Sequence, residues 1–122
     1  MFETEEQKER IILVAVATAD GDDTEQSLDE LEELGQTAGA VTVAKVIQNR
    51  EKVHAGTYVG KGKIEELKNL AISLDADTVV CDDELSPAQY HNLQDALEIK
   101  VIDRTVMILD IFAKRASTSE GK

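Results

Sequence analysis

Seven consecutive apolar residues, Ile11-Ile12-Leu13-Val14-Ala15-Val16-Ala17, limit the folds open to this chain more than any other stretch. A strand with one wet face alternates polar and apolar residues. An unbroken run marks a strand covered on both faces, as in a parallel sheet. Parallel neighbours cannot be joined by a tight turn, so each pairing needs a crossover, usually a helix. The remaining sequence supplies both kinds of element. Val41-Thr42-Val43-Ala44-Lys45-Val46-Ile47 is rich in β-branched residues and reads as a second strand, Asp77-Thr78-Val79-Val80-Cys81 as a third and Ile99-Lys100-Val101-Ile102 as a short fourth. Between them apolar residues recur at helical spacing: Leu28, Leu31, Leu34 and Ala38; then Ile64, Leu67, Leu70, Ala71 and Leu74; then Tyr90, Leu93, Ala96 and Leu97. The order β-α-β-α-β-α-β with short links predicts an α/β fold: a small four-stranded, mainly parallel sheet with helices on both faces and right-handed crossovers.

Local signals punctuate this order. Residues 1–10 are polar and expected to be flexible, and residues 11–104 form the α/β domain. Asp20-Gly21-Asp22-Asp23 has turn chemistry, and Thr24 or Ser27 is placed to cap the first helix, which Gly39 ends. Residues 48–56 read as a loop or ragged extension. Ser86-Pro87 starts the third helix, with proline at its first position. Residues 105–122 are expected to form a C-terminal helix and the start of a linker. Thr105-Val106-Met107-Ile108-Leu109-Asp110-Ile111-Phe112-Ala113, capped by Asp103 or Thr105, is apolar almost all round, whereas a surface helix shows a polar face. The expectation is a piece of a longer protein whose next region covers this segment, or self-association through residues 105–115. A fifth, buried strand is the alternative reading of the same residues.

Charge and cysteine content narrow the function classes. A net charge of −12 over 122 residues argues against general coating of DNA or RNA, whose phosphates would be repelled, but leaves room for a local basic contact. Cys81 is the single cysteine, which excludes an internal disulfide; closing an apolar run, it reads as a small buried side chain. No apolar run approaches the roughly 20 residues of a membrane span, and the charged first ten residues do not resemble a signal peptide. A cytoplasmic location is expected.

The conspicuous local feature is Thr57-Tyr58-Val59-Gly60-Lys61-Gly62-Lys63, where an extended segment passes into the helical pattern of Ile64-Glu65-Glu66-Leu67. Gly60 and Gly62 permit close backbone approach, Lys61 and Lys63 bring charge, and a helix start offers unpaired N–H groups, so contact with a phosphate or another anion is one reading. A turn shaped by glycine, with no ligand, is the other. The spacing is not that of a phosphate-binding P-loop, because Thr57 precedes Gly62-Lys63 and Ile64 follows; nor is it a dinucleotide fingerprint, because Glu65 stands where the third glycine belongs. Asp82, Asp83 and Glu84 gather three carboxylates at a strand end, a weak candidate for a hard cation, though capping of the Ser86-Pro87 helix explains them more simply and no metal site is expected. His54 and His91 lack partners at zinc-ligand spacing. Arg104, at a strand-to-helix junction, is placed either for a salt bridge or for a phosphate. No catalytic residues are identified.

Four stretches in register, Thr57 through Leu67 as quoted, Asp82-Asp83-Glu84-Leu85-Ser86-Pro87-Ala88-Gln89, Val101-Ile102-Asp103-Arg104-Thr105 and Ile108-Leu109-Asp110-Ile111-Phe112-Ala113, resemble the N-terminal domain of HflX-type GTPases. The resemblance spans residues 11–122, the last seven resembling the start of that family's helical segment. It implies a module of a cytoplasmic translation-factor-class GTPase that binds the large ribosomal subunit and splits stalled ribosomes under stress, engaging ribosomal RNA through its N-terminal part. It also implies a GTPase domain that follows in cis and holds GTP and Mg²⁺. The P-loop of that domain is not among these 122 residues, so the chain itself is expected neither to hydrolyse GTP nor to carry a cofactor. A regulatory domain holding a nucleotide phosphate at Gly60–Lys63, or a scaffold for the GTPase domain, are the alternative readings.

Overall fold

The computed structural model describes residues 8–18 and 23–120. Residues 1–7 of the flexible end expected at 1–10, most of the turn expected at 20–23 and the last two residues of the expected linker lie outside the described residues. Four strands, β1 (Glu9–Ala17), β2 (Ala40–Asn49), β3 (Thr78–Cys81) and β4 (Lys100–Asp103), alternate with four helices, α1 (Thr24–Thr37), α2 (Lys61–Leu74), α3 (Pro87–Leu97) and α4 (Arg104–Glu120). The sheet is parallel throughout, in the order β2-β1-β3-β4.

The long apolar run is therefore the central strand, which explains its composition. Ile12, Val14 and Val16 face one layer, with Leu67 and Ala71 of α2 and Leu93 and Leu97 of α3. Ile11, Leu13 and Ala15 face the other, with Leu28 and Leu31 of α1 and Met107 of α4. The crossover from β1 to β2 runs one way and that from β2 to β3 returns past β1, so strand order reverses beside β1 at the carboxyl edge of the sheet, where open α/β sheets place their sites.

β1 opens two residues before the apolar run. Glu9 and Arg10 pair with Ala40 and Val41. The Arg10 backbone N–H donates to Asp77 Oδ2 (2.9 Å), and its guanidinium donates twice to the carbonyl of Leu74 (3.0 and 2.8 Å), one of the unpaired carbonyls at the end of α2. These tertiary bonds hold a polar segment in strand conformation.

The helix ends follow the sequence signals in part. α3 begins with a full capping box: Ser86 Oγ accepts from the Gln89 N–H, the Gln89 side chain accepts from the Ser86 N–H, and Pro87 takes the first position. Gly39, just past α1, has φ +90°. α2 and α3 instead end on left-handed Asp75 and Glu98, positions that pattern alone does not reveal. Residues 104–120 form a helix and not a fifth strand. Asp103 caps it: one carboxylate oxygen accepts the Val106 N–H (3.0 Å) and the other the Leu85 N–H (2.8 Å). α4 presents Met107 to the core, while Leu109 (59%) and Phe112 (63%) are the most exposed apolar residues of its outer face. Among the described residues, no helix is long and apolar enough to cross a membrane.

Candidate phosphate-contact site

The Gly60–Lys63 stretch is not a loop leading into a helix; it is the helix start itself. Gly60 is the N-cap of α2, with φ −75° and ψ 168°, and Lys61, Gly62 and Lys63 form the first turn. Neither Gly60 nor Gly62 takes a positive φ. Position 60 is bordered by the far end of the flexible Arg50 side chain, which can shift to make room. A β-carbon there would stand 2.8 Å from Nη1 of Arg50, and the Gly60 N–H donates to Gln48 Oε1 at 2.9 Å. Gly62 meets nothing within 4 Å of such a carbon, so its surface is open. No side chain caps this helix and no acidic residue stands in its first turn. The partial positive charge of α2 thus meets Arg50, Lys61 and Lys63 at one point. Lys63 pairs with Glu66 (2.9 Å), whereas Lys61 is exposed and has no ion-pair partner among the described residues.

The residue that takes φ > 0 here is Tyr58, at +72°. A bulky side chain in the left-handed region costs roughly 1–2 kcal/mol, so something must hold it. His54 and Tyr58 exchange backbone hydrogen bonds across a tight turn (3.1 and 2.8 Å). His54 Nδ1 accepts the N–H groups of Gly56 and Thr57. Gln89 and Asn92 of α3 donate to the carbonyls of His54 and Gly56. The Tyr58 ring is 1% exposed, and its hydroxyl donates to Asp83 Oδ2 at 2.7 Å. Burial first, and then that hydrogen bond, pushes the phenol well above its ordinary range.

The three carboxylates at the end of β3 do not act together. Asp83 holds Tyr58. Asp82 holds Arg104, whose Nη2 and Nε lie 2.6 and 3.2 Å from Oδ1, while Ser27 Oγ donates to Oδ2 at 2.7 Å. Arg104 also donates to the carbonyl of Ser27 at 2.9 Å. Glu84 is exposed. Among the described residues, no three His, Cys, Asp or Glu side chains converge as a metal site would require. Cys81 is buried, and its thiol is pushed up by burial and by the neighbouring carboxylates, Asp103 first.

Gly60, Lys61 and Lys63 are thus brought to one point at the carboxyl edge, with Gly62 open beside them, while Arg104 is engaged inside the fold. Arg50 and Lys52 belong to the same connection, and no motif marks them. A charge count does, because residues 48–63 hold four Lys or Arg against the single acid Glu51, in a chain of net charge −12. Arg50 and Glu51 also line an open cavity of about 350 Å³ with Ala17, Thr18 and Asn49 at the ends of β1 and β2.

The family described as GTP-binding GTPase N-terminal has a model that matches residues 25–113. A GTPase HflX of Lacrimispora saccharolytica is 65% identical over 122 residues, which is 100% of this chain and 29% of that protein. The GTPase HflX of Escherichia coli strain K12 is 39% identical over 122 residues, 100% of this chain and 28% of its own length. The chain therefore spans less than a third of each of these relatives. Among solved structures, a complex of SsGBP with GDP superposes with a TM-score of 0.61 at 19% identity, covering 86% of this chain and 29% of that one, a likeness of fold.

Proposed function

The chain belongs to the GTP-binding GTPase N-terminal family, and from that premise we propose that it is the ribosome-engaging module of an HflX-like GTP-binding protein. In this reading the whole protein is cytoplasmic, binds the large ribosomal subunit and splits stalled ribosomes under stress. GTP and Mg²⁺ belong to a GTPase domain in cis, and this module does not hydrolyse GTP. The observation that supports RNA contact is the gathering of Arg50, Lys61 and Lys63 at the uncapped start of α2, with Lys52 in the connection that leads to it, in an otherwise acidic chain. The open face of Gly62 leaves a phosphate room to approach the backbone N–H groups of the first turn. Arg104, held by Asp82 and Ser27, sets the direction of α4 in this reading and does not meet RNA.

The test is binding of the chain to isolated large subunits over a salt series. Removing one phosphate-bound cation should lower the slope of log K against log salt by about 1. Lys61→Ala/Lys63→Ala is expected to weaken binding and flatten that slope. Affinity and slope unchanged in this variant would remove the helix start from the contact.

The scaffold reading draws on a separate observation. Asp82, Asp103 and Arg104 fix the first turn of α4, and its outer face keeps Val106, Leu109 and Phe112 exposed. That face suits the GTPase half of a longer protein or, in the isolated module, a second copy.

A further inference from the structure

The two edges of the sheet are unequal. β4 is four residues long, whereas β2 is ten, and among the described residues nothing pairs with its outer side. An open strand of that length offers a row of unpaired N–H and C=O groups to another chain. Its pairing with β1 shifts register between Ile11 and Ile12, leaving Val43 as the extra residue, so the regular stretch is 44–49. A bulge of this kind bends the strand and confines any added partner to that stretch.

The helix beside this edge is acidic. Glu25, Asp29 and Glu32 recur at helical spacing on the face of α1 turned towards β2, where Lys45 is the one cation paired with them among the described residues, at 3.0 Å from Asp29 and 2.7 Å from Glu32. Between helix and edge lies a cavity of about 270 Å³ with Leu28 and Ile47 as its apolar part and Glu25, Asp29 and Lys45 as its charged part. Such a cavity takes the aliphatic stem of a lysine or arginine and leaves its charged head among carboxylates. A second copy of this chain would instead bring two acidic helices together.

We propose that residues 44–49 of β2 are a docking edge for an extended basic polypeptide segment, which adds a fifth strand and places a Lys or Arg side chain in the cavity between α1 and β2. Backbone hydrogen bonds supply the register and alternate side chains the selectivity, as in other strand-addition complexes. The site lies on the opposite layer from α2 and does not depend on the RNA reading of that helix.

The test uses the ¹⁵N-labelled chain and a short synthetic peptide of alternating lysine and valine. Binding should shift the amides of residues 44–49 and slow their hydrogen exchange. The same peptide N-methylated at alternate residues should bind at least about tenfold more weakly, because it lacks the donors of one edge. Glu25→Lys/Asp29→Lys, both at exposed positions, should weaken the lysine peptide by about tenfold and favour a glutamate–valine peptide instead. Indifference to N-methylation would reduce the interaction to charge attraction and overturn the proposal. Shifts confined to other elements, or equal binding of the glutamate–valine peptide to the unaltered chain, would overturn it too. A dimer whose protected amides are those of β2 would assign the edge to a second copy and refute the basic partner.

Discussion

Replacing Arg104 with alanine separates a structural cation from an RNA-binding one. Its guanidinium donates to Asp82 Oδ1 from two nitrogens and to the carbonyl and hydroxyl of Ser27, and the pair is shielded, with 26% of the Arg104 side chain and 9% of that of Asp82 exposed. Removing the cation leaves a mostly buried carboxylate with the Ser27 hydroxyl as its side-chain partner. Breaking a fully buried pair from one side costs about 3–5 kcal/mol. Arg104 lies partly in water, which moves into the space and screens the remaining charge, so about 2 kcal/mol is the expected loss for Arg104→Ala. For a domain of this size that lowers the melting temperature by roughly 6–10 °C. Urea titration of Arg104→Ala, Asp82→Asn and the double variant gives the coupling directly, expected at about 1–2 kcal/mol. Arg104→Ala within about 0.5 kcal/mol of the parent, or strict additivity in the cycle, would refute the role assigned to the pair. A second readout guards against misreading: large-subunit binding by Arg104→Ala at a temperature where it is folded should keep the parent's salt slope. A slope lowered by about 1 would make Arg104 a phosphate contact after all.

Other outcomes follow from the same geometry. Tyr58→Phe keeps the buried ring and removes the bond to Asp83, whose carboxylate is exposed, so a loss of about 1 kcal/mol is expected in urea titration; no loss would mean that the bond does not hold the left-handed turn. Both tyrosines titrate late, Tyr58 raised chiefly by burial and Tyr90 pushed up to about 12 by burial and then by the charge of Asp103. A phenol whose pKa is raised in the folded state stabilises fully below about pH 10, its ordinary value, and that stability is lost as pH rises towards 12. Tyrosine absorbance at alkaline pH should therefore rise together with unfolding, and an early, uncoupled rise would contradict it. Leu109→Ser/Phe112→Ser should abolish any concentration-dependent association seen by sedimentation without lowering stability by more than about 0.5 kcal/mol, since both side chains are exposed. Calorimetry with GTP or ATP at millimolar concentration should be silent for this chain, and measurable heat of binding would revive the nucleotide-binding reading.

How much could be read in advance depends on whether the cause was local. The run at residues 11–17, the alternation of strands and helices, and the Ser86-Pro87 start depend on neighbouring residues, and the fold reproduces them. The site is mostly non-local. Whether Arg104 faces water or Asp82 depends on α1 and β3 meeting through Ser27, which no periodicity encodes. Asp82 and Asp83 look like one acidic cluster in sequence, yet adjacent side chains diverge and serve different elements. The left-handed position falls on Tyr58 and not on Gly60, because a buried ring and a distant carboxylate outweigh the local preference for glycine. Arg50 is legible by charge, but its place against Gly60 depends on how the connection from β2 folds back.

The position of β1 has a consequence for synthesis. Its neighbours arrive late: Ile11 pairs with Thr42 on one side and with Thr78 on the other. As the chain leaves the ribosome amino end first, β1 can acquire β2 as a partner early, but its second edge stays open until β3 has emerged. At about 5–20 residues per second, the intervening stretch keeps one edge of the most apolar strand unpaired for seconds. The nascent chain, rather than the finished domain, is then the form most exposed to wrong pairing.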